Sequence, residues 1–180
     1  MLKVGFIGLG NMGEGMALNL ARAGFPLTVR DVRPEPIARL EAAGATAVPT
    51  NVEVGSRSDL VCIAVFDEKQ VRETCLPHGT DAGVIAGLPP GGMIAIHSTV
   101  SAGLSRELAR HGEAKGVQML DAPMTGGGDV AAMERAGQSR AVGVVDQGRC
   151  AKCARSSPDT APPTSAPSWP ALRMSCVPPG

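Results

Sequence analysis

Tyrosine is absent from this chain of 180 residues, and aromatic residues make up only 2% of it. Ring-lined pockets that stack bases or sugars are therefore not expected. The chain also lacks an excess of charge of either sign, since 17 basic side chains balance 17 acidic ones. Nucleic-acid-binding proteins usually show a basic excess, so nucleic acid is not an expected partner.

Long apolar runs are missing as well. The longest, such as residues 60–66 and 93–96, fall short of the ~20 residues that a bilayer span requires. The first three residues lead directly into a strand pattern, without the apolar region of a signal peptide. Five cysteines without an export signal are typical of reduced thiols. These features predict a cytoplasmic protein that does not associate with membranes.

The composition changes part-way along the chain. Up to about Met133, apolar strand-like runs alternate with helical segments rich in Ala and Leu, whereas seven of the fifteen prolines lie after Ser156. Each proline removes a backbone donor and fixes φ. We therefore predict a folded domain over residues 1–130 and an irregular or disordered Pro/Ser/Arg-rich tail over residues 131–180. This tail resembles a GC-rich gene translated out of frame, although a natural low-complexity tail would look similar.

The first part of the chain repeats a strand–helix unit. Apolar runs predict strands at residues 3–7, 27–31, 45–48, 60–65, 93–97 and 117–120, and helical spacing predicts helices after the first, second, third and fifth of these. Gly24 and Gly44 are placed to end the first two helices, and Pro34 to begin the second. Strands separated by helices pair in parallel through right-handed crossovers. The pattern predicts an α/β fold with a Rossmann-like, doubly wound parallel sheet.

A glycine-rich motif separates the first predicted strand from the first helix, Gly8-Leu9-Gly10-Asn11-Met12-Gly13. Gly8 permits a tight turn, Gly10 lets the backbone approach a pyrophosphate, and Gly13 lets the helix pack closely on the strand. Free amides at the helix start would face the phosphates. The motif predicts a dinucleotide site, and a glycine-rich turn without a ligand is the alternative.

Asp31 lies at the end of the second predicted strand, ~20 residues after the glycines, where an acidic side chain accepts hydrogen bonds from the adenosine ribose. Its charge would repel a 2′-phosphate and therefore favours NAD. The neighbouring Arg30 and Arg33 could bind that phosphate, so NADP is not excluded. Alternatively, Asp31 is a solvated residue that caps the helix beginning near Pro34.

Residues 5–20, which contain the glycine motif, closely resemble the N-terminus of the β-hydroxyacid dehydrogenases, the group that includes 3-hydroxyisobutyrate dehydrogenase. Two later segments agree with this resemblance. His97-Ser98-Thr99-Val100 resembles the family's Ser-Thr segment after the fifth strand. The family's substrate-binding motif is matched, with Thr125 where Ser is usual, by Asp121-Ala122-Pro123-Met124-Thr125-Gly126-Gly127.

The resemblance implies that Phe66 and Asp67, after the fourth strand, flank the adenosine and the nicotinamide ribose. It also implies that Thr99 lies near the nicotinamide. A substrate carboxylate would be held by Thr125, Gly126 and Gly127. The implied partners are NAD, with NADP not excluded, and a small 3-hydroxy acid. The alternatives are an ordinary strand-end turn at residues 98–99 and a flexible exit from the domain at residues 126–128.

The family's general acid/base lysine has no counterpart in this sequence. In the family it lies in a second, all-helical domain within a Gly-x-Gly-x-x-x-Lys motif, and no such motif follows Gly127. Only Lys152 occurs there, in a cysteine-rich setting, and we assign no catalytic residue. Because the resemblance stops near Met133, the chain resembles a truncated or frameshifted product. Dimerisation is doubtful without the helical domain, which carries the family's dimer contacts.

Two functions therefore remain open. The first is an NAD(P)-binding domain of an oxidoreductase of small 3-hydroxy acids that is catalytically incomplete in this chain. The second is a non-catalytic dinucleotide-binding module or a non-functional truncated product.

Weaker motifs add no further site. Cys150 and Cys153, with Cys176, lack the fourth ligand of a closed zinc site, so no metal is expected. His97 and Ser98 point to opposite faces of a strand and are not expected to pair as base and nucleophile. His78 and His111 are predicted to face solvent, and Cys62 to be a small buried hydrophobe.

Overall fold

The computed structural model describes residues 1–124. Its strands are β1 (Val4–Ile7), β2 (Leu27–Arg30), β3 (Thr46–Ala47), β4 (Leu60–Ile63), β5 (Met93–Ile96) and β6 (Gln118–Asp121). Its helices are α1 (Gly13–Arg22), α2 (Pro34–Ala42), α3 (Asn51–Ser56), α4 (Glu68–Cys75), α5 (Val84–Gly87) and α6 (Ala102–Lys115). All six predicted strands are present, each within one or two residues of its expected bounds.

The six strands form one sheet in the order β3-β2-β1-β4-β5-β6, and every neighbouring pair is parallel. Val4 of β1 pairs with Leu27 of β2 on one side and with Leu60 of β4 on the other. The strand order therefore reverses direction at β1 and β4. This arrangement confirms the predicted doubly wound Rossmann-like fold, in which ligands bind beside the carboxyl ends of the strands at such a switch point.

Apolar side chains are buried on both faces of the sheet. Neighbouring residues of β1 show this directly, because Phe6 packs in a cluster with Ala17 of α1 and Leu40 of α2, whereas Ile7 packs with residues of α3 to α6 on the other face. Burial on both faces explains why the strands have continuous rather than alternating apolar sequences. Cys62 of β4 is buried as predicted, and its burial raises the thiol pKa to about 12.

The helix boundaries follow the predicted signals. Pro34 is the first residue of α2, and Gly24 and Gly44, which follow the ends of α1 and α2, have φ values of 81° and 93°. An ion pair between Arg39 and Glu14 joins α2 to α1 on the surface. The exposed positions expected for His78 and His111 are confirmed.

Helices α4 and α5 were not predicted. The sequence of α4 is mostly polar, and its buried side chains are Val71, Thr74 and Cys75. Its start is fixed by Asp67, whose carboxylate accepts a hydrogen bond from the Gln70 amide at 2.8 Å. The four-residue α5 is too short for its sequence to show helical periodicity. It packs against α3.

The predicted tail over residues 131–180, including Cys150, Cys153 and Lys152, lies outside the described residues. Within residues 1–124, no helix is both long and apolar enough to span a bilayer.

Candidate dinucleotide-binding site

A cleft of about 1010 Å³ opens at the carboxyl ends of β1, β2 and β4. Its volume is at the upper end of the ~300–1,000 Å³ range of small-molecule sites. Seven of the predicted site residues are among its lining residues: Gly8, Gly10, Asn11, Met12, Gly13, Asp31 and Phe66. The structure thus brings the glycine loop, the acidic residue after β2 and the loop after β4 together around one cavity.

The three glycines of the loop differ in why the structure contains glycine at that position. Gly8 has φ +91°, and a Cβ there would lie 2.5 Å from the Ala64 carbonyl oxygen. A Cβ on Gly13 would lie 1.9 Å from the Gly8 carbonyl oxygen, so only glycine permits this approach of α1 to β1. A Cβ on Gly10, in contrast, would meet no atom within 4 Å. Packing within the described residues does not require glycine at position 10, and the space beside it is available to a ligand.

The start of α1 presents unpaired backbone donors to the cleft. Among residues 1–124, the amides of Gly10, Asn11 and Met12 have no backbone acceptor, and the N-cap Met12 supplies no side-chain acceptor. The N-terminal end of a helix also carries partial positive charge. Such an end binds phosphate groups readily. Leu9 is fully buried in the core below the loop, so it contributes only its backbone to this site.

Asp31 is held firmly beside the glycine loop. Its Oδ2 accepts a hydrogen bond from the Leu9 amide at 2.5 Å, and its Oδ1 accepts one from the Arg33 amide at 2.9 Å. Burial by itself raises the pKa of this carboxyl, but the hydrogen bonds from Arg33 and Leu9 outweigh it and lower the pKa below its usual value. With 7% of its side chain exposed, Asp31 is not the solvated helix cap of the alternative interpretation.

The side chains of both arginines near Asp31 form hydrogen bonds within the protein. The Arg33 guanidinium pairs with Asp31 through Nε at 3.3 Å and donates from Nη2 to the Leu9 carbonyl at 2.8 Å. Arg30 donates from Nε to the Pro49 carbonyl at 3.0 Å. These bonds connect the end of β2 with the glycine loop and with the segment before α3.

Two exposed apolar side chains stand on the loops around the cleft. Val32, after β2, is 87% exposed, and Phe66, after β4, is 92% exposed. Both line the cleft. The Phe66 amide donates to Gln70 Oε1 at 3.0 Å, which ties this loop to the first turn of α4. Asp67 is not among the lining residues, and its carboxylate caps α4.

The segment after β5 is tied to its neighbours by side chains. Ser98 Oγ donates to the Val65 carbonyl at 2.6 Å, whereas His97 Nδ1 lies 2.9 Å from the Ala122 carbonyl oxygen. The two side chains therefore have different partners, as predicted. The His97 ring stacks on Phe6, and burial lowers its pKa although the bond to Ala122 opposes this. Thr99 is exposed and does not line the cleft.

The predicted substrate-binding residues Thr125, Gly126 and Gly127 lie outside the described residues. Met124, which precedes them, lines the cleft.

The sequence prediction missed part of the cleft wall, which includes Asn51, Gln70, Thr74, Thr80 and Asp81. Gln70 and Thr74 belong to α4, a helix that the sequence pattern did not reveal. The signal for Asn51 was present, because residues that follow the carboxyl end of a strand line the crevice in this type of fold. Within residues 1–124, no group of three or more potential ligands is arranged to hold a metal ion.

The fold, the glycine loop and the adjoining acidic residue define a dinucleotide-binding domain of the doubly wound class. The family described as the NAD-binding domain of 6-phosphogluconate dehydrogenase matches residues 3–143. The chain belongs to this family, and the resemblance to the N-terminal domain of β-hydroxyacid dehydrogenases is confirmed.

Individual relatives agree with this assignment. L-threonate dehydrogenase from Cupriavidus necator is 38% identical over 125 residues, which are 69% of this chain and 41% of the relative. Mitochondrial 3-hydroxyisobutyrate dehydrogenase from Homo sapiens is 33% identical over 132 residues, covering 69% and 36% of the two chains. The crystal structure of 3-hydroxyisobutyrate dehydrogenase from Salmonella typhimurium superposes with a TM-score of 0.68 at 34% identity, covering 73% and 45%. The chain therefore spans less than half the length of these relatives.

Proposed function

We propose that this chain is the cofactor-binding part of an oxidoreductase of small 3-hydroxy acids and that it binds NAD in the cleft at β1, β2 and β4. The observation that carries the proposal is that one cavity contains both the ionised Asp31 carboxylate and the amides of residues 10–12, which have no backbone acceptor. Amides of this kind suit a pyrophosphate, and a carboxylate suits the hydroxyls of a ribose. The relatives named as dehydrogenases of threonate and 3-hydroxyisobutyrate support the substrate class.

The residues that line the cleft fit the adenosine and pyrophosphate parts of the cofactor. The amides of Gly10, Asn11 and Met12 donate to the pyrophosphate, and Asp31 accepts from the adenosine ribose. Phe66 covers the adenosine, and Thr99 and Asp67 remain assigned near the nicotinamide end through the family resemblance. Thr125, Gly126 and Gly127 bind the substrate carboxylate in this proposal. When bound, the nicotinamide ring supplies the hydride acceptor.

The electrostatics of the site favour NAD over NADP. A 2′-phosphate would lie against the Asp31 carboxylate, whose low pKa keeps it charged at neutral pH. The Arg33 guanidinium uses two of its five donors on Asp31 and the Leu9 carbonyl, and these bonds hold it beside the glycine loop. The charge of Asp31 therefore carries the proposed preference for NAD.

We propose further that the 180-residue chain is catalytically incomplete by itself. Oxidation of an alcohol requires a positioned proton acceptor. His97 does not fill this role, because it is not among the residues that line the cleft. The sequence after Gly127 contains Lys152 but not the Gly-x-Gly-x-x-x-Lys motif of the family. Loss of general-base catalysis typically lowers a rate ~100- to 10,000-fold.

The purified 180-residue chain provides the test. We expect NADH binding, measured by nicotinamide fluorescence, together with no detectable reduction of NAD when 3-hydroxyisobutyrate or glycerate is added. Failure to bind NADH would refute the cofactor assignment. Turnover at an ordinary enzymatic rate that disappears in Lys152→Ala would refute catalytic incompleteness and identify the base.

A further inference from the structure

The cleft extends beyond the strands that hold Asp31 and the glycine loop. Asp31 follows β2 at one end of the lining, whereas Val65 and Met124 follow β4 and β6. Because neighbouring strands lie ~4.8 Å apart, the carboxyl ends from β2 to β6 span ~19 Å. The adenosine and pyrophosphate assigned to β2 and β1 occupy one half of this span. The other half, from β4 to β6, is left for the nicotinamide and its ribose.

The segment after β5 lies between the β4 and β6 sides of this second half and is bonded to both. Ser98 Oγ donates to the Val65 carbonyl at 2.6 Å, on the β4 side. The Nδ1 atom of the adjacent His97 lies 2.9 Å from the Ala122 carbonyl oxygen, on the β6 side. Side chains of the β5 segment, in addition to the hydrogen bonds of the sheet, therefore set the spacing of the walls that carry Val65 and Met124.

Ser98 acts on the cleft through Val65. Ser98 is 6% exposed and does not line the cleft, whereas Val65 is half-buried and lines it. A serine hydroxyl has one proton to donate, and the Val65 carbonyl receives it. The next residue of the loop has a separate anchor, because the Phe66 amide donates to Gln70. Loss of the Ser98 hydroxyl would therefore release the side of the loop that faces β5.

We propose that Ser98 is a positioning residue for the nicotinamide half of the cofactor, because it ties the Val65 carbonyl to the segment that contains Thr99. The proposal rests on the NAD-binding function proposed above. The adenosine and pyrophosphate bind at Asp31 and the glycine loop, which are held by other hydrogen bonds. Binding of the adenosine end should thus be insensitive to Ser98, and binding of the nicotinamide end should depend on it.

The test compares two ligands that share the adenosine and the pyrophosphate. NADH and ADP are titrated by calorimetry against the full 180-residue chain and against Ser98→Ala. In Ser98→Ala, the affinity for NADH should fall about three- to tenfold, as for one neutral hydrogen bond, while the affinity for ADP stays unchanged. A merely structural role of Ser98 would lower both affinities or neither.

The matched control is Ser101→Ala, the same substitution in the same segment. Ser101 Oγ accepts from the Leu104 amide at 3.3 Å and so caps α6. Its replacement should lower the free energy of unfolding but leave the ratio of the NADH and ADP affinities unchanged. Equal losses for both ligands in Ser98→Ala, or no loss for either, would overturn the positioning role. An altered ratio in Ser101→Ala would overturn it as well.

Hydrogen exchange in the parent chain decides the question if Ser98→Ala does not fold. NADH should slow exchange in the peptide that contains residues 97–100, and ADP should not, because only NADH reaches this half of the cleft. Equal protection by the two ligands, or protection by neither, would overturn the proposal. If the parent chain binds neither NADH nor ADP, the proposed function itself is refuted.

Discussion

Asp31 combines two tasks in one carboxylate. Its Oδ2 fixes the Leu9 amide of the glycine loop, and its Oδ1 fixes the backbone of Arg33. With the bond from Arg33 Nε, three of the about four lone-pair sites of the carboxylate are occupied, so it can still accept from one ribose hydroxyl while these bonds remain. The same residue therefore shapes the phosphate loop and, in the proposed function, selects the cofactor.

Replacement of Asp31 should reduce the preference for NADH over NADPH. We expect Asp31→Ala to narrow the difference in binding free energy by ~1.5–3 kcal/mol, the range of a hydrogen bond to a charged group. Asp31→Asn, which keeps an acceptor for the Leu9 amide, separates loss of charge from loss of loop structure. Fluorescence titration of both cofactors measures the effect. Equal affinities in the parent chain would instead indicate that Arg30 or Arg33 binds a 2′-phosphate.

His97 should make stability depend on pH in the weakly acidic range. Burial lowers its folded-state pKa below the usual value of 6.5, so folding favours the neutral ring. The contribution of His97 is complete above pH ~6.5 and is lost as the pH falls through 6.5 toward the folded-state pKa. The free energy of unfolding should decrease by at most ~1.4 kcal/mol per pH unit for this one proton.

Urea denaturation between pH 7.5 and 5.5 tests this expectation. His97→Gln should flatten the pH dependence. Identical pH dependence in the parent chain and His97→Gln would show that His97 titrates alike in the folded and unfolded states.

At the scale of elements, stability and ligand binding depend on different glycines in the unit formed by β1, the glycine loop and α1. Gly13 is required by the close approach of α1 to the Gly8 carbonyl, whereas Gly10 faces open space. The same motif thus contains one glycine that serves packing and one whose missing side chain leaves room for a ligand.

Alanine substitution should lower the stability of the domain at Gly13 and its affinity for NADH at Gly10. Gly13→Ala should lower the free energy of unfolding by ~1–3 kcal/mol, because the added Cβ overlaps backbone that cannot easily shift. Gly10→Ala should change stability by no more than ~0.5 kcal/mol, as is usual away from packed positions. NADH affinity of Gly10→Ala should nevertheless fall at least about tenfold, a change of ~1.4 kcal/mol.

Thermal or urea unfolding and NADH titration of both variants provide the measurements. Normal NADH binding by Gly10→Ala would place the pyrophosphate elsewhere and would contradict the assignment of the glycine loop.

At the scale of the whole molecule, the described residues form a sheet covered on both faces. Its two apolar clusters lie on opposite sides, with α1 and α2 on one face and the remaining helices on the other. An ion pair between Arg72 and Glu107 joins α4 to α6 on the second face. The cleft lies at the point where the strand order reverses.

Limited proteolysis should define the extent of the folded domain. The prolines after Ser156 deny that sequence the hydrogen bonds of helix and central strand, so we expect a protease to remove it and leave a fragment close to residues 1–130. Mass spectrometry identifies the new C-terminus and separates this boundary from residue 143, where the family match ends. A resistant fragment that includes Trp169 would contradict the predicted tail.

The sequence by itself determined the fold class, the strands and the central part of the candidate site. Continuous apolar runs identified strands buried on both faces, and the glycine motif followed by Asp31 identified the cleft, because these signals are local. Helix α4 was not recognisable, since its burial depends on three side chains in a polar sequence. Only the tertiary structure brought Gln70, Thr74 and Asp81 to the same cavity as Asp31. Their proximity depends on strand order and on hydrogen bonds between segments up to 30 residues apart, which no local pattern encodes.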